Sequence, residues 1–504
     1  MRLFGRNALG VYAVYAASLV SGLLVTPIVF HHLGVKGFGI WGTIGAWTIY
    51  LSVLDFGVGP AIIRSSAEAR GRGAPEDVNA IASVGLAMYA VIGLLTLPVG
   101  IGLAFLVPWA GNAPADLVWP ARICTLLVVL SIAARFPLGL FTNLLIGRQR
   151  WDVQNLANFV STVLYAGLVA VFMTHGGGLV VLGVLTLATT LVRLALPLAW
   201  IPRELPGLRV SRSLVTRERL RELVSFSSSN FMVHVANKIV FSTDVVVVSI
   251  VLGIAAAGVY AIPAKLFALA FGLGTAATTL LYPAFAELEG AGVQERQRRL
   301  LLLGLRVGSA LMLLLALPLL LIPDVLINAW IGGHHHEAYA VMSLLAGVLL
   351  IHQPIFVLTQ FLIARARQRD AAALSLGATA ANLALSVVLA WAVGMWGVAL
   401  STLVTDAVAL CWLLPRMAAP AAGTTTGELV RVSLRPVLPA LVAAAVVLVA
   451  GARLWTPRTM PELVPLGATW AIVGSLAIWR FGLSQDERRR LGRVLGRRPR
   501  PVPI

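Results

Sequence analysis

The chain has 504 residues, of which 59% are hydrophobic and only 12% charged, and its mean hydropathy is +0.88. No soluble domain of that length hides so much apolar surface, so composition excludes a globular cytosolic enzyme and points to an all-α polytopic membrane protein. The formal net charge of +18 would mean nucleic acid in a soluble protein, but its distribution gives it another origin, and no nucleic-acid partner is expected.

Arg2 and Arg6 precede an apolar run from Ala8 to Phe30, about 35 Å long as a helix. That is spanning length, too long for the core of a cleaved secretion signal. Apolar spans then follow at 39–60, 80–107, 119–147, 153–174, 179–201, 227–252, 255–284, 300–323, 338–363, 371–392, 395–415, 435–452 and 463–481, about 14 transmembrane helices with the first at 8–31. Thirty of the 39 basic residues fall in alternate loops and at the two ends, while the opposite loops hold Lys36, Arg453 and Arg458. This bias places both termini in the cytoplasm and most of the positive charge beside anionic headgroups. Cys124 and Cys411 both lie inside apolar spans, so no disulfide or cysteine metal site is expected.

The sequence also repeats itself. Leu33–Glu68 and Leu252–Glu287 align without a gap at an offset of 219, matching Gly34 with Gly253, Gly39 with Gly258 and Trp41 with Tyr260. An even number of spans per copy makes the repeats parallel, related by a pseudo-two-fold along the membrane normal. The expected organisation is an N-lobe at 1–201, a basic cytoplasmic linker at 202–226, a C-lobe at 227–417, and two further helices with a basic tail at 418–504. The lobes must separate, so the linker is expected to be slack, and the two repeated turns are expected to pack closely at the outer rim.

Ionisable residues inside a bilayer cost about 2.5–3.5 kcal/mol each, so they should face a wet cavity or a partner. Arg135, Arg193, Lys238 and Lys265 are the candidate cations, joined by His234 and Asn230 on one face of the seventh span. Together they suit an anionic cargo, because guanidinium and ammonium donors match phosphate or carboxylate oxygens. Asp244, Asn382, Thr402 and Asp406 supply hard oxygen ligands for coupling to Na+ or H+. The other reading has Asp244 and Asp406 pairing with Lys238 or Lys265. Polar stripes in spans 2, 5, 10 and 11, such as Asn155, Asn158, His352 and Ser386, serve either a cavity or contacts between helices. No catalytic set is found in the short outer loops, and no cofactor is expected. The run His334-His335-His336 lacks partner ligands at fixed spacing, so no metal site is assigned to it.

At Gly34–Arg64 the chain resembles the polysaccharide transporter branch, with the Wzx-type O-antigen flippases, of the multidrug/oligosaccharidyl-lipid/polysaccharide exporter superfamily. The residues that carry the resemblance are Leu33-Gly34, Gly39-Ile40-Trp41 and Asp55-Phe56-Gly57. The resemblance implies two six-helix lobes that rock between inward-open and outward-open states. It implies as cargo a polyprenyl-diphosphate-linked oligosaccharide (an O-antigen, exopolysaccharide or capsule repeat unit) moved to the periplasmic leaflet, with a glycan polymerase and chain-length machinery as partners. Lipid II flippases and multidrug or cation antiporters of the same superfamily are the alternative. A membrane glycan polymerase or ligase is the alternative of another class, although the large outer loop expected of one is absent.

Overall fold

The computed structural model of the chain describes residues 2–221, 223–224, 243–278, 281–333, 335–365, 367–434, 438–455 and 457–482, and every regular element among them is helical. Ten helices are long and apolar enough to cross a membrane, and two shorter apolar ones, Met395–Val408 and Ala445–Trp455, accompany them. The chain is a multi-pass membrane protein.

α1 (Arg2–Val53) contains one non-helical residue, Gly34, at φ 64° and ψ 177°. Only glycine takes that conformation without strain, so one residue divides α1 into two spans where a short loop was expected. α2 (Val58–Gly71), α3 (Pro75–Ala110), α4 (Ala115–Gly147), α5 (Trp151–Thr174) and α6 (Leu179–Leu198) follow. After a helical stretch at 243–251 come α7 (Ile254–Thr278), α8 (Leu281–Gly290), α9 (Gln294–Leu321), α10 (Pro323–Ile331), α11 (His336–Ala364) and α12 (Gln368–Val393). α13 (Met395–Thr405) widens into a π-helical stretch, Asp406–Leu413. α14 (Thr426–Leu434), α15 (Leu438–Trp455) and α16 (Met460–Ala477) complete the described chain. With α1 counted twice and 243–251 taken as the end of the seventh span, the membrane helices number about fourteen.

The repeat extends far beyond the 36 residues in which the sequence betrays it. Gly34 and Gly253 both have positive φ, as do Gly73 and Gly292, each pair 219 apart. α2 and α8 end at Gly71 and Gly290, and α3 and α9 begin at Pro75 and Gln294, at the same offset. Arg148-Gln149-Arg150 after α4 recurs as Arg367-Gln368-Arg369 after α11.

Two compact units emerge, Met1–Ala261 with Leu383–Val398, and Ile262–Asn382 with Ala399–Ile504. In the first, Ile40, Ile44, Ile62, Leu140 and Leu144 form a fully buried core. The two repeated turns meet inside this unit: a Cβ on Gly39 would lie 2.0 Å from the Ile254 carbonyl oxygen, and one on Gly258 would lie 2.1 Å from that of Val35. Because Val35 and Ile254 are themselves 219 apart, the contact has local two-fold symmetry. In the second unit Phe285 meets Phe361 edge to face at 5.6 Å over buried Leu301 and Leu305. There the two additional helices dock on α9, Trp470 Nε1 donating to the Leu314 carbonyl at 2.8 Å.

Two expectations are corrected. The second span is not one helix over 39–60: it breaks at Leu54–Gly57, and α2 is a separate element. Phe56 (φ 50°) and Gly57 (φ 78°) are both left-handed, and two such residues in a row end a right-handed helix. Nor is the linker slack. Arg209 N donates to Asn79 Oδ1 (3.0 Å), Ser211 N to Ser83 Oγ (3.0 Å), and the Arg219 guanidinium to Asp77 Oδ1 (3.3 Å). The first turns of α3 supply acceptors that an extended basic segment can satisfy.

Candidate functional site

Asp55, in the helix break at Leu54–Gly57, lines an open cavity of about 250 Å³ among the helices of the first unit. Irregular backbone at membrane depth is tolerated where it lines a cavity, and broken helices commonly build substrate sites. Asp55 fixes the joint: its Oδ2 accepts from Gly59 N (3.3 Å), and Tyr89 Oη donates to its Oδ1 (2.8 Å). Asn143 Nδ2 in turn donates to Tyr89 Oη (3.1 Å). Gly59 lets this chain close, because a Cβ there would lie 3.1 Å from Tyr89 Oη and 3.2 Å from Asn143 Nδ2.

Arg135 on α4 and Arg193 on α6 line the same cavity. Arg135 stands twelve residues before the end of α4, about 18 Å along the helix from the basic end of a bilayer about 30 Å thick. Gln154 and Asn158, one turn apart on α5, add amides, and Ser52 and Thr142 add hydroxyls. Among the described residues no ion pair joins Asp55 to either arginine; its two oxygens accept from Tyr89 and Gly59. The cavity therefore presents two guanidiniums and several neutral donors, an arrangement that can bind an anion with hydroxyl groups attached.

The second unit holds a separate polar group. Asn382 Nδ2 donates to Thr402 Oγ1 (3.0 Å), Ser401 Oγ (3.3 Å) and Thr405 Oγ1 (3.3 Å), joining two residues singled out in the sequence. Asp406, 4% exposed, begins the π-helical stretch, and its Oδ2 lies 2.9 Å from His352 Nδ1. π-turns inside membrane helices frequently mark functional sites. Phe271 covers the His352 ring at 5.2 Å between centroids.

The remaining candidates are dispersed. Asp244 is buried in the first unit and accepts from Tyr260 Oη at 2.9 Å. Lys265 is exposed on α7 in the second unit, Trp41 packs half-buried against the first core, and Gly39 is at the repeat contact. Lys238, His234, Asn230 and His334 lie outside the described residues. His335 N donates to Tyr339 Oη at 3.2 Å. The sequence reading missed Tyr89 and Asn143, each an isolated polar residue in an apolar helix. It also missed Ser401 and Thr405, for which the Ser-Thr-x-x-Thr-Asp spacing on one helix face was the available signal.

A duplicated all-helical membrane chain with a polar cavity among its spans has the architecture of a transporter. Its pattern at residues 4–289 matches the family described as polysaccharide biosynthesis protein, and the chain belongs to that family. No curated protein matches it. Among solved structures it is similar to the lipid II flippase MurJ, with 12% identity, 97% of this chain and 99% of that one covered, and a TM-score of 0.70. It is also similar to a multidrug resistance MATE family transporter of the MOP superfamily (15% identity, 81% and 95% covered, TM-score 0.63) and to the MATE multidrug transporter DinF-BH (16%, 82% and 94%, TM-score 0.62). At these identities the likeness establishes the fold.

Proposed function

We propose that the protein is a flippase that carries a polyprenyl-diphosphate-linked oligosaccharide from the cytoplasmic to the periplasmic leaflet by alternating access. The observation that carries this reading is the cavity in which Arg135 and Arg193 stand among amide and hydroxyl donors. The arginines suit the diphosphate or acidic sugars, and Asn143, Gln154, Asn158 and Thr142 suit sugar hydroxyls. Membership of a polysaccharide biosynthesis family supports a glycan cargo, and the likeness to a lipid II flippase supports one attached to a lipid. A cavity for cationic drugs would instead be dominated by acidic residues, whereas this lining holds two arginines and one carboxylate, Asp55. On this reading the basic ends of the helices face the cytoplasm of a bacterial inner membrane.

Coupling belongs to the second unit in this proposal. The His352–Asp406 pair and the Asn382 hydroxyl cluster would bind H+ or Na+ and drive the return of the empty protein. An inside-negative potential already favours outward movement of the anion, by about 2.3 kcal/mol per charge per 100 mV.

The test is export in a deletion strain complemented with variants. Without the protein, lipid-linked repeat units should accumulate on the cytoplasmic face; flipped but unpolymerised units would instead favour the polymerase or ligase reading. Arg135→Ala and Arg193→Ala should each lower export roughly ten- to hundredfold, the loss of a charged hydrogen bond worth about 1.5–3 kcal/mol. Arg135→Lys should be milder, yet impaired where bidentate contact matters. Wild-type export by both alanine variants at equal membrane levels would refute the assignment.

A further inference from the structure

A second cavity, of about 290 Å³, lies at the basic end of the first unit. It is bounded by the last turn of α2, the first turn of α3, the end of α4 and the segment 205–208. Arg70 and Arg148 line it, the Arg148 guanidinium also lying 3.9 Å from Glu204 Oε2. Buried Val78, Leu144 and Leu205, with Leu208, add apolar lining. Arg70 Nη1 donates to the Arg148 carbonyl at 3.0 Å, which fixes the guanidinium over the end of α4. That bond uses one of its five donors. Two arginines and several leucines lining one cavity, where membrane helices end in a basic rim, match the two ends of a lipid: phosphate on the arginines, first methylenes on the leucines.

The segment over this cavity is the start of the linker. Immediately beyond Leu208 the chain is fastened to α3 through Arg209 N and Ser211 N, and further on through Arg219 to Asp77. We propose that the cavity binds the phosphate of an anionic phospholipid, and that its occupant holds the linker down on α3. This does not rest on what the protein transports. A plainer reading gives the two arginines only a capping role at helix C-termini, where a cation is favoured anyway. Capping alone predicts no preference among lipids.

The test uses the full chain purified in neutral detergent, with phosphatidylglycerol, phosphatidylcholine or inorganic phosphate added. By native mass spectrometry phosphatidylglycerol should remain bound under activation that strips phosphatidylcholine. Arg70→Ala and Arg148→Ala should reduce that retention about tenfold or more. Leu208→Glu, at a partly exposed position of the lining, should do the same by placing a carboxylate beside the phosphate. Phosphatidylglycerol should also slow tryptic cleavage after Arg209 and Arg212 at least threefold (a rough threshold) in the wild type but not in Leu208→Glu. Equal retention of the two lipids would overturn the proposal, as would undiminished retention in all three variants. Equal protection by inorganic phosphate at the same concentration would also overturn it, by making this a free-anion site.

Discussion

Replacing Gly39 by alanine tests the symmetric contact at the heart of the repeat. The new Cβ would lie 2.0 Å from the Ile254 carbonyl oxygen and 2.9 Å from Gly258 N, so α1 must retreat about 1.4 Å to reach ordinary contact. The obstacle is backbone, and no rotamer change relieves it. Overpacking of this kind costs about 1–3 kcal/mol, against a gain of up to about 1 kcal/mol from removing a helical glycine. Gly45, six residues further along α1, is the control: nothing lies within 4 Å of a Cβ there, so Gly45→Ala should be neutral or stabilising. The helix-propensity gain is common to both variants and cancels, so they should differ by the overpacking cost, about 1–3 kcal/mol, a few degrees in apparent Tm. The assay is the temperature at which detergent-solubilised protein loses its monodisperse size-exclusion peak. Gly258→Ala meets Val35 at 2.1 Å and should match Gly39→Ala. Since one retreat relieves both clashes, the double variant should lose less than the sum of the two. If Gly39→Ala melts with Gly45→Ala, or the two lesions add in full, the backbone contact is not as described.

In inverted vesicles, Asp406→Asn should abolish stimulation by an imposed Na+ or pH gradient while leaving potential-driven transport largely intact; surviving gradient dependence would remove the coupling site. His352→Gln should alter the pH dependence of transport if the carried ion is a proton and leave it unchanged if the ion is Na+. Tyr89→Phe deletes the hydroxyl that joins Asp55 to Asn143 and leaves a partly buried carboxylate short of a donor. It should cost about 1–3 kcal/mol and lower export without changing membrane insertion, and an unperturbed variant would separate Tyr89 from the joint. Outside the membrane spans, the Thr424 hydroxyl and the Arg298 guanidinium hold the Glu428 carboxyl below its usual range. A depressed carboxylate stabilises the fold at neutral pH and loses that contribution as pH falls from about 4.5 through its folded value. The protection factors of the amides in Thr426–Leu434, with the intrinsic exchange rate at each pH divided out, should fall over that window in the wild type and show no such step in Glu428→Gln.

How much of this was legible in the sequence depends on the range of the force responsible. A bilayer imposes length and apolarity on each span separately, so local composition places most ends of the long helices within a few residues, while the short α8, α10 and α14 were not foreseen. The repeat was legible where glycine is obligatory, at Gly34 and Gly253, and remained hidden where only the backbone retains it, as in the matching ends of α2 and α8. The break after Val53 went unread because a hydropathy window averages across Asp55-Phe56-Gly57, and its cause is conformational. Left-handed φ at Phe56 is unfavourable for a bulky residue, and it persists where neighbouring bonds fix the joint, here Asp55 to Tyr89 and to Gly59.

The cavity was half legible for a related reason. Arg135 and Arg193 stand out because a charge in hydrocarbon must be accounted for. Tyr89 and Asn143 do not, since one hydroxyl or amide in a long apolar helix is ordinary, and their meeting depends on partners 34 and 54 residues away. The linker shows the same limit: a basic stretch looks solvated when read alone, and only folding brings Asp77, Asn79 and Ser83 beneath it. Charge in a membrane chain thus marks where a site must be, while the neutral donors that shape it become visible only when the helices are assembled. Asp55 belongs to both groups: it stood in the sequence as part of a motif, and in the structure its two oxygens fix the helix joint while the same side chain lines the cavity beside the two arginines.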